Sequence, residues 1–265
     1  MLTKTPFDII AKTYDTDFTN STIGKLQRNK VWKFFTNEIK NAKSKKVLEI
    51  NCGTGNDALW LADRGFDVIA TDISSEMIAI AKSKNKLESH PSLHFEICSF
   101  NNLIHQYQQA QFDMVFSNFA GLNCLSKQEL INLDKDLAIL LKPKGQLIVV
   151  LLGKYCLVES LYFMFKFDWK KITRRKRKAN AYLSENNYQE TWCYSYQELE
   201  TIFSSFKIIK KKPIGLFIPP SYFEKTMKKW PVLLYLLQNL DSLFGGISNF
   251  SNFGDHYILH LEKTT

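Results

Sequence analysis

The feature that most constrains this chain is a short apolar run that ends in a glycine turn. The run is Val47-Leu48-Glu49-Ile50, the turn is Asn51-Cys52-Gly53-Thr54-Gly55, and a helical pattern begins at Ala58-Leu59-Trp60-Leu61. An apolar run of this length before a turn and a helix is typical of a buried parallel strand. The glycines remove the Cβ atoms that would keep backbone N–H groups away from a ligand. The sequence therefore predicts a ligand-binding turn at the end of its first strand.

Strand and helix patterns alternate after this turn. Apolar runs predict parallel strands at 46–51, 66–72, 93–98, 112–118 and 146–152, and helices between them at 57–64, 74–87 and 127–141. Gly65 is placed to end the first of these helices, and Ser74 and Ser75 are placed to begin the second. Parallel strands joined by right-handed crossovers form an open, doubly wound α/β sheet.

The whole chain is expected to form one domain with additions. Its 265 residues are 45% apolar, which is enough for a single large core. A helix at 196–203 lies before two late strands, at 207–217 and 256–261, whose long connection predicts an antiparallel pair at one sheet edge. The expected parts are an N-terminal helical cap at 1–46, a cofactor-binding core at 47–152, mainly helical cap insertions at 153–195 and 219–252, and closing helix and strands at 196–218 and 253–265.

The N-terminal part is predicted to begin with a short helix that a loop follows. A second helix is predicted at 24–39, where Trp32 and Phe35 belong to an apolar face. Such a helix can lie over the mouth of a pocket. For these two side chains, however, packing in the core is the preferred interpretation.

Composition argues against an exported or membrane-spanning protein. The chain has no uninterrupted apolar run of about 18 residues and no apolar signal-peptide core at its start. Its five cysteines are scattered, which is typical of a reducing compartment and argues against a disulfide framework or a zinc site. We therefore expect a cytoplasmic protein without a bound metal. The net charge of +9 raises the question of an anionic partner, although dispersed lysines without a binding role are the preferred explanation.

Acidic residues around the turn distinguish between two classes of ligand. Gly53, Gly55 and Ala58 fit the G-x-G-x-x-A dinucleotide pattern, and Asp72 follows at a spacing that suits ribose hydroxyls. Glu49 and Asp57, however, flank the turn with carboxylates that would repel a diphosphate and attract an ammonium group. S-adenosylmethionine carries a ribose, an amino-acid end and a sulfonium. It therefore suits this turn better than a nicotinamide dinucleotide does.

Residues 47–151 resemble the core of the class I S-adenosylmethionine-dependent methyltransferases. The resemblance rests on motifs in the family's order: Val47-Leu48-Glu49-Ile50-Asn51-Cys52-Gly53-Thr54-Gly55, Val68-Ile69-Ala70-Thr71-Asp72-Ile73-Ser74, Phe112-Asp113-Met114-Val115-Phe116-Ser117-Asn118 and Leu141-Lys142-Pro143-Lys144-Gly145. It implies a Rossmann-like doubly wound seven-stranded sheet with its last strand antiparallel. It also implies S-adenosylmethionine as the cofactor and S-adenosylhomocysteine as its product.

The resemblance and the residue types together assign the cofactor site. Tyr14 resembles an N-terminal tyrosine that reaches the methionine end of the cofactor, and Arg28 is a candidate partner for the cofactor's carboxylate. Met77 matches a position that packs on adenine, with core packing as an equal alternative, and Phe100 has the same two interpretations. The expected cofactor-binding residues are Tyr14, Arg28, Glu49, Asn51, Cys52, Gly53, Thr54, Gly55, Asp57, Asp72, Ile73, Met77, Ser99, Phe100, Ser117 and Asn118.

Two positions depart from the family's pattern. Asn51 stands where relatives usually have a glycine, but asparagine tolerates unusual backbone angles, so we expect binding to survive. Ser99 lies in the segment where relatives often place an aspartate for the adenine amino group. Either Ser99 or the backbone must then make that contact.

The two insertions give the clue to the methyl acceptor. Their aromatic residues could line an apolar pocket for a small aromatic or lipid-like molecule, or pack on each other: Tyr155, Tyr162, Phe163, Phe165, Phe167, Trp169, Phe217, Tyr222 and Phe223. The segment Ser117-Asn118-Phe119-Ala120 lacks the Asn/Asp-Pro-Pro-aromatic box of many amino-group methyltransferases that act on nucleic acid and protein. We therefore expect a small-molecule acceptor and do not expect a nucleic-acid partner. His256, Tyr155 and Glu159 are candidate bases, and none is assigned as catalytic.

The basic run at 170–178 is open to three interpretations. It could rest on an anionic membrane surface, bind nucleic acid, or form a solvated helix face, which is preferred. The expected function is methyl transfer from S-adenosylmethionine to a small, apolar or aromatic acceptor. The alternatives are a nucleic-acid methyltransferase that uses Arg174, Arg175 and Arg177, a non-catalytic S-adenosylmethionine-binding module and, more distantly, a nicotinamide dehydrogenase. The sequence does not indicate an oligomeric state.

Overall fold

The computed structural model describes residues 5–38, 45–176, 179–184 and 187–264. These residues form the strands β1 (Lys46–Ile50), β2 (Asp67–Asp72), β3 (Leu93–Ile97), β4 (Phe112–Ser117), β5 (Leu141–Leu152), β6 (Ala179–Ser184), β7 (Asn187–Thr191), β8 (Phe206–Ile214) and β9 (His256–Lys263). The helices are α1 (Pro6–Tyr14), α2 (Thr22–Glu38), α3 (Asn56–Ala62), α4 (Ser75–Glu88), α5 (Leu103–Gln106), α6 (Lys127–Leu140), α7 (Leu157–Phe165), α8 (Trp169–Ile172), α9 (Tyr196–Ile202), α10 (Glu224–Met227) and α11 (Pro231–Phe244).

Seven strands form one sheet in the order β3-β2-β1-β4-β5-β9-β8. β1 pairs in parallel with both β2 and β4, so that Val47 lies between Val68 and Met114. β9 is antiparallel to both of its neighbours, β5 and β8. Chain order reverses from β1 to β4 at the sheet's centre, and ligands bind at such switch points in open α/β sheets. The predicted doubly wound sheet with an antiparallel last strand is confirmed.

The side chains of residues 47–50 in β1 are buried on both faces of the sheet. Both faces of the sheet are covered, so alternate side chains enter two separate cores. Leu48 and Ile50 belong to the core on one face, and Val47 belongs to the core on the other. By the same alternation Glu49 points to the Val47 face, where α2 and α3 pack. A carboxylate is thereby placed inside the protein at the end of the central strand.

Serine and threonine caps define where several helices begin. The Ser74 hydroxyl accepts a hydrogen bond from the Met77 backbone N–H and begins α4, as the sequence predicted. Thr5 caps α1, with Asp8 closing a capping box and Pro6 at the first helical position. Gly65, with φ of +82°, ends the turn after α3. These local signals account for the good agreement between predicted and observed helix ends.

Three features differ from the sequence-based expectations. The predicted loop after α1 is a π-helical segment, Asp15–Thr19, that continues the helix toward α2. β5 begins at Leu141, before the predicted turn, although Lys144 has the left-handed φ of +59° that a turn there requires. The first insertion contains, besides α7 and α8, an antiparallel hairpin of β6 and β7 that the sequence did not predict. Residue 39, at the end of the second predicted helix, lies outside the described residues.

α2 connects the cap to the sheet. Its Gln27 donates a hydrogen bond to Asp255 at the start of β9 (3.0 Å), and its Lys30 pairs with Asp241 of α11. At its N-terminus, the carboxylate of Glu224 accepts hydrogen bonds from the backbone N–H groups of Thr22 and Ile23, at 2.8 and 2.9 Å. These contacts satisfy helix N–H groups that lack intrahelical partners. The cap is thus fixed to the same helix that borders the glycine turn.

Candidate functional site

Left-handed backbone shapes the glycine turn. Asn51, Gly53 and Gly55 have φ of +59°, +56° and +79°, angles that glycine adopts freely and asparagine tolerates. A Cβ on Gly55 would also lie 2.7 Å from the ring of Phe95, so a side chain there would clash. Asparagine can therefore stand at position 51 in place of the family's usual glycine.

Asn51 also ties the ends of two central strands together. Its Oδ1 accepts a hydrogen bond from the Ser117 hydroxyl at 2.6 Å, and its Nδ2 donates to the carbonyl of Asn118 at 2.8 Å. A Cβ on Gly121 would lie 2.2 Å from the Asn51 side chain, so only glycine fits beside it. The asparagine thus replaces the usual glycine with a side chain that holds β1 against β4.

Asp57 is held by three neighbours rather than being left open to a ligand. Trp32 Nε1 donates to its Oδ1 at 2.7 Å, and Arg28 Nε lies 3.3 Å from the same oxygen. Asn118 Nδ2 donates to its Oδ2 at 2.9 Å. Trp32 stacks on Trp60 with ring centroids 5.1 Å apart, so packing and hydrogen bonding together fix the carboxylate. The expected packing of Trp32 is observed, together with a hydrogen bond that the sequence did not reveal.

Glu49 is the unusual group in the site. Its side chain is only 1% exposed, and its Oε2 finds no hydrogen-bond partner among the described residues. Burial raises the pKa of Glu49 well above its ordinary value, and the nearby Asp57 carboxylate adds to this, while Arg28 partly offsets it. A buried carboxylate oxygen without a partner is costly. A cationic group beside the turn would remove that cost.

Asp72 ends β2 and accepts hydrogen bonds from two backbone N–H groups. Gly53 donates to its Oδ2 at 2.8 Å and Ser74 to its Oδ1 at 2.9 Å. Burial raises the pKa of Asp72, and these two hydrogen bonds partly oppose the rise. Ile73, the next residue, is 53% exposed beside it. The carboxylate thus orders the glycine turn and lies next to an exposed apolar side chain.

The N-terminal segment covers the turn. Asp15 accepts hydrogen bonds from the Thr54 hydroxyl (2.6 Å) and from the Asn56 amide (3.1 Å), and pairs with Lys84 of α4 at 2.6 Å. Tyr14 packs against the turn, since a Cβ on Gly53 would lie 3.8 Å from its ring. Sequence reasoning identified Tyr14 but missed the anchoring role of Asp15. The sequence alone does not show that Asp15, next to Tyr14, also faces the glycine turn.

A small cavity of about 30 Å³ lies between these groups. It brings together residues from the predicted set with two that were not predicted, Asn56 and Phe119. The lining residues are Tyr14, Arg28, Asn51, Cys52, Gly53, Thr54, Asn56, Asp57, Asn118 and Phe119. This volume is about that of one water molecule in the liquid. A larger ligand therefore requires the covering N-terminal segment to move.

Eight of the sixteen predicted residues do not line this cavity: Glu49, Gly55, Asp72, Ile73, Met77, Ser99, Phe100 and Ser117. Met77 is 1% exposed and packs with Ile10 and Ala11 beneath α1, which favours its core-packing interpretation. Phe100 packs against the main core as well. Ser99 precedes a short 3₁₀ turn and makes no capping hydrogen bond there. The contact of Ser99 with adenine stays a prediction.

The end of β4 carries strained backbone. Phe119 and Ala120 have φ of +44° and +65°, which costs energy for residues with a Cβ and is common at functional sites. The Phe119 ring lies 5.1 Å from the Arg28 guanidinium and 5.3 Å from the His256 ring. Phe119 thus separates the small cavity from His256. The sequence did not predict this role of Phe119, because the strained backbone angles arise only in the folded turn that follows β4.

The basic run does not form a wholly solvated face. Arg175 is 8% exposed and donates hydrogen bonds to Glu159 Oε2 (2.7 Å) and Asp255 Oδ1 (2.6 Å). Arg174 forms a two-point contact with Glu159, at 2.6 and 3.0 Å. Two of the three arginines that the nucleic-acid alternative requires are therefore already paired with Glu159, and one of them, Arg175, is buried. The third, at position 177, lies outside the described residues, as does residue 178 of the run.

The same network removes one candidate base. Burial raises the pKa of Glu159, but the hydrogen bond from Arg174 and the charge of Arg175 outweigh it, so the pKa lies below its ordinary value. The Tyr222 hydroxyl also donates to Glu159 at 3.0 Å. A carboxylate with these partners is a poor proton acceptor. His256 Nδ1, by contrast, lies 3.2 Å from Asp255 Oδ2 and beside Phe119.

Comparison with known proteins agrees with this geometry. A family model described as a methyltransferase domain matches residues 47–145. The chain is 34% identical over 154 residues to the demethylmenaquinone methyltransferase of Leptospira interrogans, covering 56% of this chain and 59% of that protein. It is 30% identical over 139 residues to the malonyl-[acyl-carrier protein] O-methyltransferase of Enterobacter lignolyticus, covering 52% and 49%. The chain thus spans about half the length of these curated relatives.

A solved structure extends the similarity to nearly the whole chain. Phosphoethanolamine N-methyltransferase 2 of Haemonchus contortus, in complex with S-adenosylmethionine, covers 97% of this chain at a TM-score of 0.61, with 57% of its own chain matched. At 16% identity this likeness concerns the fold alone. Sheet order and glycine turn together define a Rossmann-like fold of the kind that methyltransferases have.

More specifically, residues 47–145 match a methyltransferase domain, and the chain is similar in sequence to S-adenosylmethionine-dependent methyltransferases. The resemblance seen in its sequence motifs is confirmed.

Proposed function

We propose that this protein transfers a methyl group from S-adenosylmethionine to a small, apolar or aromatic acceptor. The observation that carries the cofactor assignment is the buried, unpartnered Oε2 of Glu49 beneath the glycine turn. An ammonium group is the ligand that this oxygen lacks, and Arg28 at the same cavity complements a carboxylate. The amino-acid end of S-adenosylmethionine carries both groups.

The other residues of the site then have defined tasks. The backbone N–H groups of the glycine turn and the Tyr14 ring contact the methionine end, while Asp72 binds ribose hydroxyls beside the apolar Ile73. Asp57 does not bind directly but holds Arg28, because Asn118 and Trp32 fix its carboxylate. The segment at 5–19 moves away to admit the cofactor. It then returns over the bound cofactor and excludes water.

S-adenosylmethionine, when bound, supplies an electrophilic methyl group on a sulfonium. The protein's main contribution is to hold the acceptor in line with that methyl group, which can contribute about 7–11 kcal/mol. Phe119 forms the wall between the cofactor cavity and His256. His256 accepts the proton that a hydroxyl acceptor loses, and Asp255 orients its imidazole.

The aromatic side chains of the cap and the name of one relative both support an apolar or aromatic acceptor. Aromatic side chains of α7 and of the segment before α10 pack near the network that ends at His256, with Tyr162 and Phe223 rings 4.8 Å apart. The Leptospira interrogans relative is named for a quinone acceptor, demethylmenaquinone. An apolar or aromatic acceptor agrees with both observations.

Calorimetry with S-adenosylmethionine tests the cofactor assignment. We expect binding to the protein, loss of most of the affinity in Glu49→Gln, and little change in the matched control Glu96→Gln, which lies on β3. Methyl transfer is then followed by S-adenosylhomocysteine release with a phenolic or quinol amphiphile and, in parallel, with a charged amine. Failure to bind S-adenosylmethionine at millimolar concentration would sink the proposal, and activity confined to the charged amine would sink its acceptor class.

A further inference from the structure

The cap exposes apolar side chains on a scale that the folded core does not explain. α11 packs on the protein through Leu234 and Asp241, which lie two turns apart on one helix face. Much of its remaining surface is apolar as well, apart from Asn239 and Ser242, and the large exposed apolar side chains there are Val232, Leu233, Tyr235, Leu236, Leu240, Leu243 and Phe244. Val232 and Leu243 are 71% and 73% exposed. Apolar surface of this extent on a helix is normally buried.

The neighbouring helices extend this surface. Phe165, Phe167 and Trp169, at the end of α7 and the start of α8, are 75%, 78% and 64% exposed. Tyr162 of α7 packs edge-on against Phe223, whose cluster includes Leu234 of α11. This contact joins α7, and α8 directly after it, to the cluster on which α11 packs. We call the exposed apolar side chains of α7, α8 and α11 the cap face.

Lysines surround the cap face on two sides. Lys225, Lys228 and Lys229 come directly before α11, and all three are exposed. Lys166, Lys170 and Lys171 alternate in sequence with the exposed aromatic residues of α7 and α8, and they are exposed as well. The two acids beside these lysines are already engaged: Asp168 pairs with Lys171 and begins α8, and Glu224 caps α2. The surroundings of the cap face are therefore positively charged.

This combination indicates an anionic lipid bilayer rather than a second protein molecule. A second copy of this chain would bring its own lysines against these, which is unfavourable for a chain with a net charge of +9. Anionic headgroups complement the lysines, acyl chains accept the leucines, and Trp169, Trp230 and Tyr235 suit the boundary between the two. Within the described ranges, none of the helices combines the length and apolar character needed to span a bilayer. The contact must therefore lie in the plane of the membrane.

We propose that the cap face is a membrane-docking surface that places α11 and the α7–α8 aromatics in the interface of an anionic bilayer. The proposal differs from the sequence-based membrane alternative, which relied on the whole basic run, because Arg175 is buried and Arg174 is bound to Glu159. It does not depend on methyl transfer, since docking requires neither cofactor nor acceptor.

Vesicle co-sedimentation tests the proposal with the full chain. The protein is mixed with vesicles of phosphatidylcholine alone or with about a third phosphatidylglycerol, without S-adenosylmethionine. We expect binding to the anionic vesicles that weakens as salt is raised, because each lysine near the surface contributes about a five-fold gain in affinity. The triple variant K225A/K228A/K229A should lose about a hundred-fold in affinity. The matched control K82A/K86A/K135A removes as many exposed lysines from α4 and α6 and should bind as the unchanged protein does.

The apolar part of the surface is tested in the same way. V232S/L236S/L243S should lower the affinity for anionic vesicles at least ten-fold, whereas the control I97S/I139S/I209S, which changes exposed isoleucines on β3, α6 and β8, should not. The substitutions fall on exposed side chains, and circular dichroism checks that folding is retained. The proposal is overturned if the unchanged protein does not bind anionic vesicles, or if the control variants weaken binding as much as the cap-face variants do. It is also overturned if V232S/L236S/L243S turns a stable dimer into a monomer in sedimentation equilibrium.

Discussion

Replacement of Arg175 by alanine tests the buried charge network most directly. The guanidinium contacts Glu159, the Asp255 carboxylate, and the backbone carbonyl of Asp255 at 2.9 Å. Its removal leaves two buried carboxylates with fewer partners, since Asp255 keeps Gln27 and His256 while Glu159 keeps Arg174. Breaking a buried ion pair by removing one partner costs about 3–5 kcal/mol. For a chain of this size that corresponds to a fall in melting temperature of about 10 °C.

Arg174→Ala is the matched control. Its side chain is 43% exposed and contacts the same Glu159, so its removal should cost about 1 kcal/mol or less. Urea denaturation of both variants, followed by circular dichroism, gives the two free energies of unfolding. Equal losses for Arg174→Ala and Arg175→Ala, or a loss below about 1 kcal/mol for Arg175→Ala, would refute the reasoning.

The pH dependence of this difference has a defined sign. Burial raises the pKa of Asp255, but His256 and Arg175 outweigh it, so its folded pKa lies below the ordinary 3.8. A depressed carboxyl pKa gives stability that is present above the ordinary value and is lost as pH falls toward the folded value. The gap between the unchanged protein and Arg175→Ala should therefore stay constant near neutral pH and shrink below about pH 4. A gap that widens in acid would contradict the assignment.

Three further outcomes follow from the site. The affinity for S-adenosylmethionine should rise as pH rises through the raised pKa of Glu49, because burial favours the protonated carboxyl and a bound ammonium group requires the carboxylate. Calorimetry in two buffers should detect a proton released on binding, and Glu49→Gln should abolish that release. Asp15→Ala removes the acceptor for Thr54 and the partner of Lys84, so hydrogen exchange should quicken across residues 5–19 and stay unchanged in β4. Asn51→Gly should cost about 1–2 kcal/mol through lost hydrogen bonds, and Asn51→Ala about 1 kcal/mol more through its left-handed backbone, as thermal unfolding would show; an equal cost for both would mean that φ at this position is unimportant.

The fold could be predicted well because its signals are local. An apolar run, a glycine turn and a capping serine lie within a few residues of one another, as in the segment from β1 to α3. The antiparallel last strand was predicted because its long connection to β8 is visible in the sequence. The hairpin of β6 and β7 was missed, since its polar residues lack the apolar alternation that indicates a strand.

The site was predicted less completely than the fold because its contacts are distant in sequence. Arg175 lies in a basic run that the sequence makes look solvated, and only folding brings Asp255 beside it. Likewise Asp57 was expected to face the ligand, but Trp32, 25 residues earlier, occupies one of its oxygens. Long-range pairing of charged groups leaves no periodic pattern. Side-chain roles that depend on such pairing therefore require the structure.

The attachments of α2 have a thermodynamic consequence. Gln27, Arg28 and Lys30 lie within four residues and reach the start of β9, the start of α3 after the glycine turn, and the cap helix α11, respectively. A shift of this helix along its axis changes all three contacts at once, so occupancy of the turn and the position of the cap are energetically linked. Such linkage is reciprocal. If a ligand bound at the cap changes the affinity for the cofactor by some factor, the bound cofactor changes the affinity for that ligand by the same factor.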